Sequence, residues 1–317
     1  MITIIGCGLS GLIAANMIRD QDYQIYEASN SLPNNHSAVL RFRSSILGDA
    51  LDIPFKCVQM MKTVERWSNP VADNLAYSRK CTGTATLRSI VTASAAVQER
   101  WIAPPDLVQR LANRVEGKVK YGEVVDLDTI KDLMDKGPII STIPMLQLIG
   151  MLDYKFAGEW QGHQVHGINV NCILPGVDAY VSIYVPNPLY EFNRISLTGD
   201  RLTVEYSFPY EGLEDVRSIA SRKGLFHLGE VLCMLGLPDN HPYENYHVSV
   251  QRYSKILPIE EDLRRRFIVW ATDNWRIYSL GRYATWRPTL ILDDLVNDVR
   301  VIRRFIGGES SYSHRKK

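Results

Sequence analysis

The 317-residue sequence has few cysteines, almost no net charge and no long hydrophobic segment. Its five cysteines are scattered and form no CxxC pair; they are Cys7, Cys57, Cys81, Cys172 and Cys233. This scatter argues against a zinc knuckle or a disulfide framework and is typical of a reducing compartment, so we predict a cytoplasmic protein. The net charge of +1 gives no overall electrostatic case for binding nucleic acid. Because no run of about 18 apolar residues is present, we predict neither a transmembrane helix nor a membrane partner.

Metal ligands are equally sparse. His163 and His166 are close in sequence, but together they supply only two ligands, and a metal site needs three or four. We therefore predict no metal site. The apolar run at the N-terminus has no basic stretch before it and is interrupted by glycine, which is not typical of a signal peptide.

The first residues contain a glycine-rich loop between a strand and a helix. Ile2–Ile5 is a β-branched run that predicts a buried parallel strand, and residues 12–18 predict a helix. Between them, Gly6, Gly8 and Gly11 follow GxGxxG spacing. In such a loop the first glycine permits a tight turn, the second lets the backbone approach a pyrophosphate, and the third lets the helix pack against the strand. The helix N-terminus then offers free N–H groups to the phosphates.

An acidic residue completes this dinucleotide-binding pattern. Residues 23–26 predict the next strand, which ends in Glu27. An acid about 20 positions past the glycines accepts the ribose hydroxyls of an adenosine. We also include Ser10 and Ala28, which lie within these segments, among the predicted cofactor-binding residues. The alternative is an unliganded βαβ unit with an ordinary glycine turn.

The remaining sequence predicts an α/β fold in which a β-rich unit interrupts a parallel sheet. Residues 106–115, 118–125 and 138–143 predict a helix and two strands of that sheet. Residues 165–210 alternate apolar and polar side chains and predict an antiparallel sheet with a hairpin turn at Gly199-Asp200. We therefore predict a Rossmann-type dinucleotide-binding domain with an inserted antiparallel β-rich substrate domain. The dinucleotide-binding domain takes residues 1–60, 101–150 and 271–306, the substrate domain takes 61–100 and 151–270, and 307–317 form a basic mobile tail.

Shorter segments are predicted from local patterns. Residues 38–43 predict a strand, and residues 57–66 and 89–98 predict helices. Residues 292–305 predict a final amphipathic helix. No second GxGxxG is present, so we predict no separate NADPH domain.

With these motifs, and with Leu280-Gly281-Arg282 near its end, the sequence resembles the flavin amine oxidases and UDP-galactopyranose mutases, flavoproteins of the glutathione-reductase type. The segment from Gly6 to Glu27 resembles their adenosine-diphosphate site. Residues 123–125 resemble the strand whose backbone touches the adenine, and residues 141–144 resemble the strand end that returns to the cofactor.

The resemblance implies FAD as the cofactor and names further residues for it. These are Val125 in residues 123–125 and Thr142 in residues 141–144. Gly281 and Arg282, followed by a helix that opens near Asp293, resemble the motif that holds the ribityl chain and pyrophosphate. A guanidinium here pairs with phosphate, and a helix N-terminus favours the negative charge that grows on a reduced flavin.

One stretch departs from the family pattern. Many relatives have an arginine and a Gly-Gly pair after the acid, whereas this chain has residues 32–43 with neither feature in place. We expect Arg41 to take the phosphate role there. Residues 36–43 and 280–286 also resemble bacteriophage flavoproteins, some of which oxidise a glycyl amine on a modified thymine in phage DNA.

We therefore predict an oxidoreductase of the amine-oxidase type, in which a hydride passes from an amine-bearing carbon to flavin N5. The resulting imine hydrolyses, and oxygen reoxidises the flavin. Its substrate is a small-molecule amine or a modified DNA base. The predicted catalytic residues are His36, Arg43, Tyr206 and Trp286, and Tyr184 is a further candidate for the substrate face. The alternative for each of these residues is that it has an ordinary structural role and no part in catalysis.

Two other functions stay open. A mutase-like enzyme would use cationic side chains for the diphosphate of a nucleotide sugar, for which Arg41, Arg43 and Arg194 are available. A nucleotide-binding protein without redox chemistry is the third class. The oligomeric state is not predicted.

DNA stays an open partner. Basic clusters occur at residues 264–266, 303–304 and 315–317, and phosphates require such charges. Solvated helix faces and a tail are the alternative, and the acidic residues 260–262 are placed to cancel the first cluster.

Overall fold

The computed structural model describes residues 1–32, 40–85, 96–156, 162–223 and 227–313. In chain order, the strands of these residues are β1 (Ile2–Ile5), β2 (Tyr23–Glu27), β3 (Arg41–Phe42), β4 (Lys56–Val64), β5 (Ala96–Ile102), β6 (Val119–Tyr121), β7 (Ile139–Ser141), β8 (Gln164–Ile173), β9 (Ala179–Tyr184), β10 (Phe192–Gly199), β11 (Arg201–Phe208), β12 (Glu244–Ile256) and β13 (Ile277–Ser279). The helices are α1 (Leu9–Met17), α2 (Ile46–Leu51), α3 (Pro70–Thr82), α4 (Leu107–Asn113), α5 (Leu127–Lys136), α6 (Met145–Met151), α7 (Leu213–Lys223), α8 (Leu228–Met234), α9 (Glu261–Trp275) and α10 (Leu292–Ser313).

The first sheet is parallel and has the strand order β13-β7-β1-β2-β6. Its strands are short and rich in isoleucine, and Ile4, Ile25 and Ile140 are fully buried. Helices α1, α4 and α10 share one apolar core with this sheet, and α5, α6 and α9 share another. Burial on both faces is typical of parallel sheets and explains why β1 and β7 are buried at every position.

The second sheet is larger and has the strand order β12-β8-β11-β10-β9-β4-β5-β3. Its neighbouring strands are antiparallel, except that β4 pairs with β9 in parallel. One face is apolar and packs against α7 and α8. The opposite face, which we call the polar face, includes Ser182, Tyr184, Arg194, Ser196, Thr203, Glu205 and Ser207, because residues paired directly across strands point to the same side.

The structure corrects several local predictions. Residues 57–66 do not form a helix, since β4 occupies them; there Val58 and Met60 are buried while Gln59 between them is exposed, which is the period of a strand. The predicted helix over 89–98 is wrong at its end, because β5 begins at Ala96; residues 86–95 lie outside the described residues. Of the strand predicted over 38–43, residues 38 and 39 lie outside the described residues, and Arg41–Phe42 form β3.

The architecture agrees with the predicted class. The parallel sheet and the hairpin turn at Gly199-Asp200 are confirmed, whereas the inserted sheet is mixed rather than wholly antiparallel. Helix α10 continues to Ser313, so residues 307–313 of the predicted tail are helical. Within the described ranges, no helix combines the length and apolarity needed to cross a bilayer.

Candidate functional site

Two glycines of the loop, Gly6 and Gly11, are tightly packed, whereas Gly8 has open space beside it. Gly6 has a φ of +97°, and a Cβ there would lie 2.2 Å from Thr142 Oγ1. A Cβ on Gly11 would lie 1.9 Å from the carbonyl oxygen of Gly6, so this glycine permits the close packing of α1 on the turn. At Gly8, the N-cap of α1, a Cβ would meet no described atom within 4 Å. The loop therefore presents its free backbone surface at Gly8, beside the first N–H groups of the helix.

The Glu27 carboxylate joins the end of β2 to this loop. Its Oε2 accepts the Cys7 N–H at 2.7 Å, and its Oε1 accepts the Ser29 N–H at 2.9 Å across Ala28. The Glu27 residue is 8% exposed. Burial and the charge of Glu27 raise the pKa of the Cys7 thiol to about 11, which keeps that thiol neutral beside the carboxylate.

The segment after β6 runs alongside the acid. The Glu123 N–H donates to the Glu27 carbonyl at 3.0 Å, and the Gly122 N–H donates to the Ser29 carbonyl at the same distance. Val125 follows and is buried. The structure thus brings Val125 to the strand that carries Glu27.

Other predicted residues meet at the carboxyl ends of the parallel strands. Thr142 Oγ1 donates to the Ile5 carbonyl at 2.9 Å. Gly281 has a φ of +98°, and a Cβ there would lie 2.6 Å from Ser10 Oγ. Ser10, Thr142 and Gly281 therefore surround the same turn as Gly6, at the sheet edge where open α/β folds bind ligands.

The start of α10 adds a carboxylate with a free oxygen. Asp293 Oδ2 accepts the Arg43 N–H at 2.8 Å, whereas its buried Oδ1 has no hydrogen-bond partner among the described residues. Burial raises the pKa of Asp293 above its ordinary value. The Arg282 Nε is also buried, and no described residue accepts a hydrogen bond from it. Unsatisfied buried groups of this kind indicate a missing ligand or water.

The polar face of the second sheet gathers charged side chains. Arg41 Nη2 donates to Ser196 Oγ at 3.0 Å, Arg194 forms an ion pair with Glu205, and Lys255 Nζ donates to Ser207 Oγ at 2.7 Å. Burial and the charge of Arg194 lower the pKa of Arg41 to about 10. Burial opposes ionisation of Glu205, but Arg194 outweighs it and the pKa of that carboxyl is lowered.

Aromatic side chains lie beside these charges. The Tyr77 ring on α3 meets the Tyr184 ring edge to face at a centroid distance of 5.5 Å, and both are buried. Tyr184 pairs with Arg194 across β9 and β10, so this candidate lies on the polar face.

The three predicted catalytic residues that the structure describes, Arg43, Tyr206 and Trp286, are not brought together. Tyr206 lies on the apolar face, where its ring meets Phe192 edge to face, and Trp286 is 1% exposed with its Nε1 donating to the Leu257 carbonyl at 2.7 Å. The Arg43 side chain is exposed while its N–H binds Asp293. His36 lies outside the described residues.

Sequence reasoning missed Glu205, Lys255 and Tyr77. The hairpin turn at Gly199-Asp200 fixes the register and so places Glu205 opposite Arg194, a signal that was available. Nothing local connects Tyr77 on α3 to this face.

Two cavities open at opposite ends of the polar face. One has a volume of about 780 Å³ and is lined by α3 and the loop around residues 186–191, including Trp67, Lys80 and Tyr190. The other has a volume of about 700 Å³ and is lined by Leu40, Asn171 and Thr203 among others. Among the described residues, no group of three or more His, Cys, Asp or Glu side chains is arranged to hold a metal.

The parallel sheet with its glycine loop, together with the large mixed sheet, defines the fold of FAD-binding oxidoreductases. Neither a family model nor a curated protein matches the sequence. Solved structures do match its fold. Reduced UDP-galactopyranose mutase matches with a TM-score of 0.67 and 14% identity over 96% of this chain and 93% of that chain.

Two further structures match over nearly the whole chain. A putative protoporphyrinogen oxidase from an Exiguobacterium species gives a TM-score of 0.56 and 12% identity, covering 96% of this chain and 98% of its own. An FAD-dependent oxidoreductase from Pseudomonas aeruginosa gives a TM-score of 0.52 and 14% identity, covering 98% of this chain and 90% of its own. At these identities the likeness shows the fold, and the fold expected from the flavoprotein resemblance is confirmed.

Proposed function

We propose that the protein is an FAD-dependent oxidoreductase of the amine-oxidase type. The observation that carries the proposal is the convergence of an open glycine loop, an anchored acid and two unsatisfied polar groups around the carboxyl ends of one parallel sheet. The structural neighbours, which include an FAD-dependent oxidoreductase, support this choice of cofactor.

The residues present fit the dinucleotide. Glu27 is placed to accept the ribose hydroxyls, and the N–H groups that follow Gly8 are placed to bind the pyrophosphate. Sequence reasoning gave Arg41 a phosphate role, but its guanidinium binds Ser196 on the second sheet. We assign that role to Arg282, whose Nε lacks a partner among the described residues. We assign the start of α10, with Asp293, to the flavin end.

When bound, FAD supplies the redox chemistry by accepting a hydride at its N5. The residues of this chain orient the substrate and exclude water. The N-terminus of α10 favours negative charge through its free N–H groups. The polar face of the second sheet provides hydrogen-bond donors, and Tyr77 and Tyr184 provide an apolar wall beside them. No dedicated base is needed if the amine binds in its neutral form.

The preferred substrate is a glycyl-type amine on a modified thymine in phage DNA. Its support is the sequence resemblance of residues 36–43 and 280–286 to bacteriophage flavoproteins. The basic clusters give less support, because Arg264 and Arg265 both pair with Glu261, and Arg303 pairs with Asp20. The DNA substrate is tested separately by measuring the binding of labelled duplex and single-stranded DNA with fluorescence anisotropy at several salt concentrations.

A mutase-like reaction on a nucleotide sugar is the second candidate. The likeness to UDP-galactopyranose mutase and the arginines of the polar face favour it. Such an enzyme is expected to act only after its flavin is reduced.

The deciding experiment is the visible absorption spectrum of the purified protein, followed by heat release and identification of the chromophore. A flavin spectrum with released FAD is the expected result, and reduction by an amine with formation of peroxide then supports the oxidase. Activity only after treatment with dithionite supports the mutase, and a bound flavin inert to every donor supports a non-redox protein. A colourless protein that takes up no FAD rules the proposal out.

A further inference from the structure

The polar face holds an excess of partly buried positive charge. Arg41, Arg194 and Lys255 all act on Glu205 and lower its pKa, and no second carboxylate is paired with them among the described residues. Among the described residues, Arg41 hydrogen-bonds to two neutral partners, the Ser196 hydroxyl and the Met60 sulfur, and forms no ion pair with an acid. Glu205 acts on Arg41 only at a distance, and a partly buried guanidinium with no carboxylate in direct contact is costly, so proteins usually pair such groups.

Unsatisfied polar atoms accompany this charge. The Arg194 Nε, the Asn193 Nδ2 and the Ser182 Oγ are buried without a hydrogen-bond partner among the described residues. Ser182 is 2% exposed and Asn193 is 0% exposed. Asn193 lies beside this face, because its Oδ1 accepts a hydrogen bond from Ser207 Oγ. Three donors at the polar face therefore have no partner within the described ranges, and two of them belong to side chains almost fully withdrawn from solvent. Donors left over beside uncompensated cations match an acceptor-only ligand, which is an anion.

The side chains of this face are also held in place. Glu205 fixes the Arg194 guanidinium through one ion pair, and Ser196 fixes that of Arg41. The Tyr77 and Tyr184 rings pack beside Arg194 and keep water away from one side. Guanidinium groups bind carboxylate and phosphate oxygens in a forked geometry, so a fixed pair of them is suited to a compact anion.

We propose that the substrate carries a carboxylate or phosphate group and that Arg41 and Arg194 bind it on the polar face. Glu205 acts as a positioning residue for Arg194, and Lys255 adds long-range attraction. The inference rests on the proposed function only in assigning this anion to the substrate. It selects amines that carry an anionic group over simple alkyl amines.

The test is a calorimetric titration of the purified protein with acetate, inorganic phosphate and pyrophosphate at constant ionic strength. We expect at least one of these anions to bind to wild-type protein, and acetate and the phosphates distinguish a carboxylate from a phosphate site. Arg41→Gln and Arg194→Gln are each expected to weaken that binding at least tenfold. Arg217→Gln is the matched control. Arg217 pairs with Glu214 on α7, and this helix packs on the opposite face of the sheet. The Arg217→Gln variant is expected to bind the anions as wild type does.

Circular dichroism checks that each variant is folded. If either arginine variant does not fold, Lys255→Gln replaces it and is expected to weaken binding severalfold. Wild-type protein that binds none of the three anions overturns the proposal, as do variants that bind them as wild type does.

A repeat of the titration with FAD added separates the substrate from the cofactor. Unchanged anion affinity after FAD uptake is expected, and loss of anion binding on uptake would assign the site to the cofactor and overturn the inference. A protein that takes up no FAD yet binds anions through Arg41 and Arg194 would remove the proposed function while leaving the anion site intact. A protein that takes up FAD, but whose anion binding is unchanged by substitution of Arg41 or Arg194, would remove the anion site while leaving the proposed function intact.

Discussion

At the scale of single residues, two glycines of one loop are under different constraints. A Cβ on Gly11 would lie 1.9 Å from the Gly6 carbonyl oxygen, whereas a Cβ on Gly8 would meet no described atom within 4 Å. Gly11→Ala should therefore lower the free energy of unfolding by about 1–3 kcal/mol, the usual cost of an overpacked site. Gly8→Ala should lower it by less than about 1 kcal/mol, because a Cβ has room there and the cost is that alanine is a poorer N-cap than glycine. Urea denaturation of both variants measures this difference.

The same pair separates folding from binding. Because the free surface of the loop is at Gly8, Gly8→Ala is expected to weaken FAD binding at least tenfold even though the protein stays folded. Fluorescence quenching of added FAD gives the dissociation constant. A Gly8→Ala protein with wild-type affinity would show that the pyrophosphate does not approach the loop at this position.

Glu27 allows a second residue-level prediction. Its two oxygens accept two backbone N–H groups, at 2.7 and 2.9 Å, and a glutamine has only one oxygen to offer. Glu27→Gln should therefore lower the free energy of unfolding by about 1–3 kcal/mol, the cost of losing a hydrogen bond to a charged group. It should also weaken FAD more than FMN, since only FAD carries the adenosine. Equal losses for the two flavins would contradict a ribose contact.

At the scale of elements, the first turn of α10 gives a pH dependence. Burial raises the pKa of Asp293 from its ordinary value of 3.8, so the folded protein holds this proton more tightly than the unfolded chain. The contribution of Asp293 to stability is complete below pH 3.8 and is lost as pH rises through the raised pKa. Asp293→Asn keeps an acceptor for the Arg43 N–H and should remove this loss, so the variant should be at least as stable as wild type at pH 7.

Urea denaturation between pH 3.5 and 7 checks the sign of this effect. The stability advantage of Asp293→Asn over wild type should grow as the pH rises from 3.5 to 7. An Asp293→Asn variant that loses stability toward pH 7 would show that the carboxylate is favoured in its charged form.

The elements also show where local sequence patterns succeed. Strands β1 and β7 were predictable because each is a short run of mostly apolar residues beside a helix or turn signal, and β2 because it follows the glycine loop and helix and ends in an acid. Strand β4 was missed because its segment has no turn residues and contains good helix formers such as methionine and lysine. Pairing with β5 and β9 decides its structure, and that pairing overrides the weak local preference.

At the scale of the whole molecule, the two halves of the candidate site were not equally predictable. The cofactor residues share motifs with defined spacing, so Gly6, Glu27 and Gly281 were assignable before their positions were known. The cationic cluster of the polar face has no motif. Arg41 reaches Ser196 across 155 positions of sequence, and this contact depends on β4 pairing in parallel with β9. Only the folded arrangement of the second sheet reveals it.

The proposed cofactor site is assembled from distant parts of the chain, which leads to a prediction for the whole molecule. Gly8 and Arg282 lie at opposite ends of the sequence, and both are placed at the carboxyl edge of the first sheet, so a bound dinucleotide stabilises only the folded chain. FAD at 100 times its dissociation constant should raise the free energy of unfolding by about 2.7 kcal/mol. Thermal melting with and without FAD measures the gain. At the same FAD concentration, Gly8→Ala and Arg282→Gln should gain less than wild type, while the exposed control Arg217→Gln should gain the same. An Arg282→Gln protein stabilised as fully as wild type would remove the C-terminal segment from the phosphate site, and the glycine loop would then hold the pyrophosphate alone.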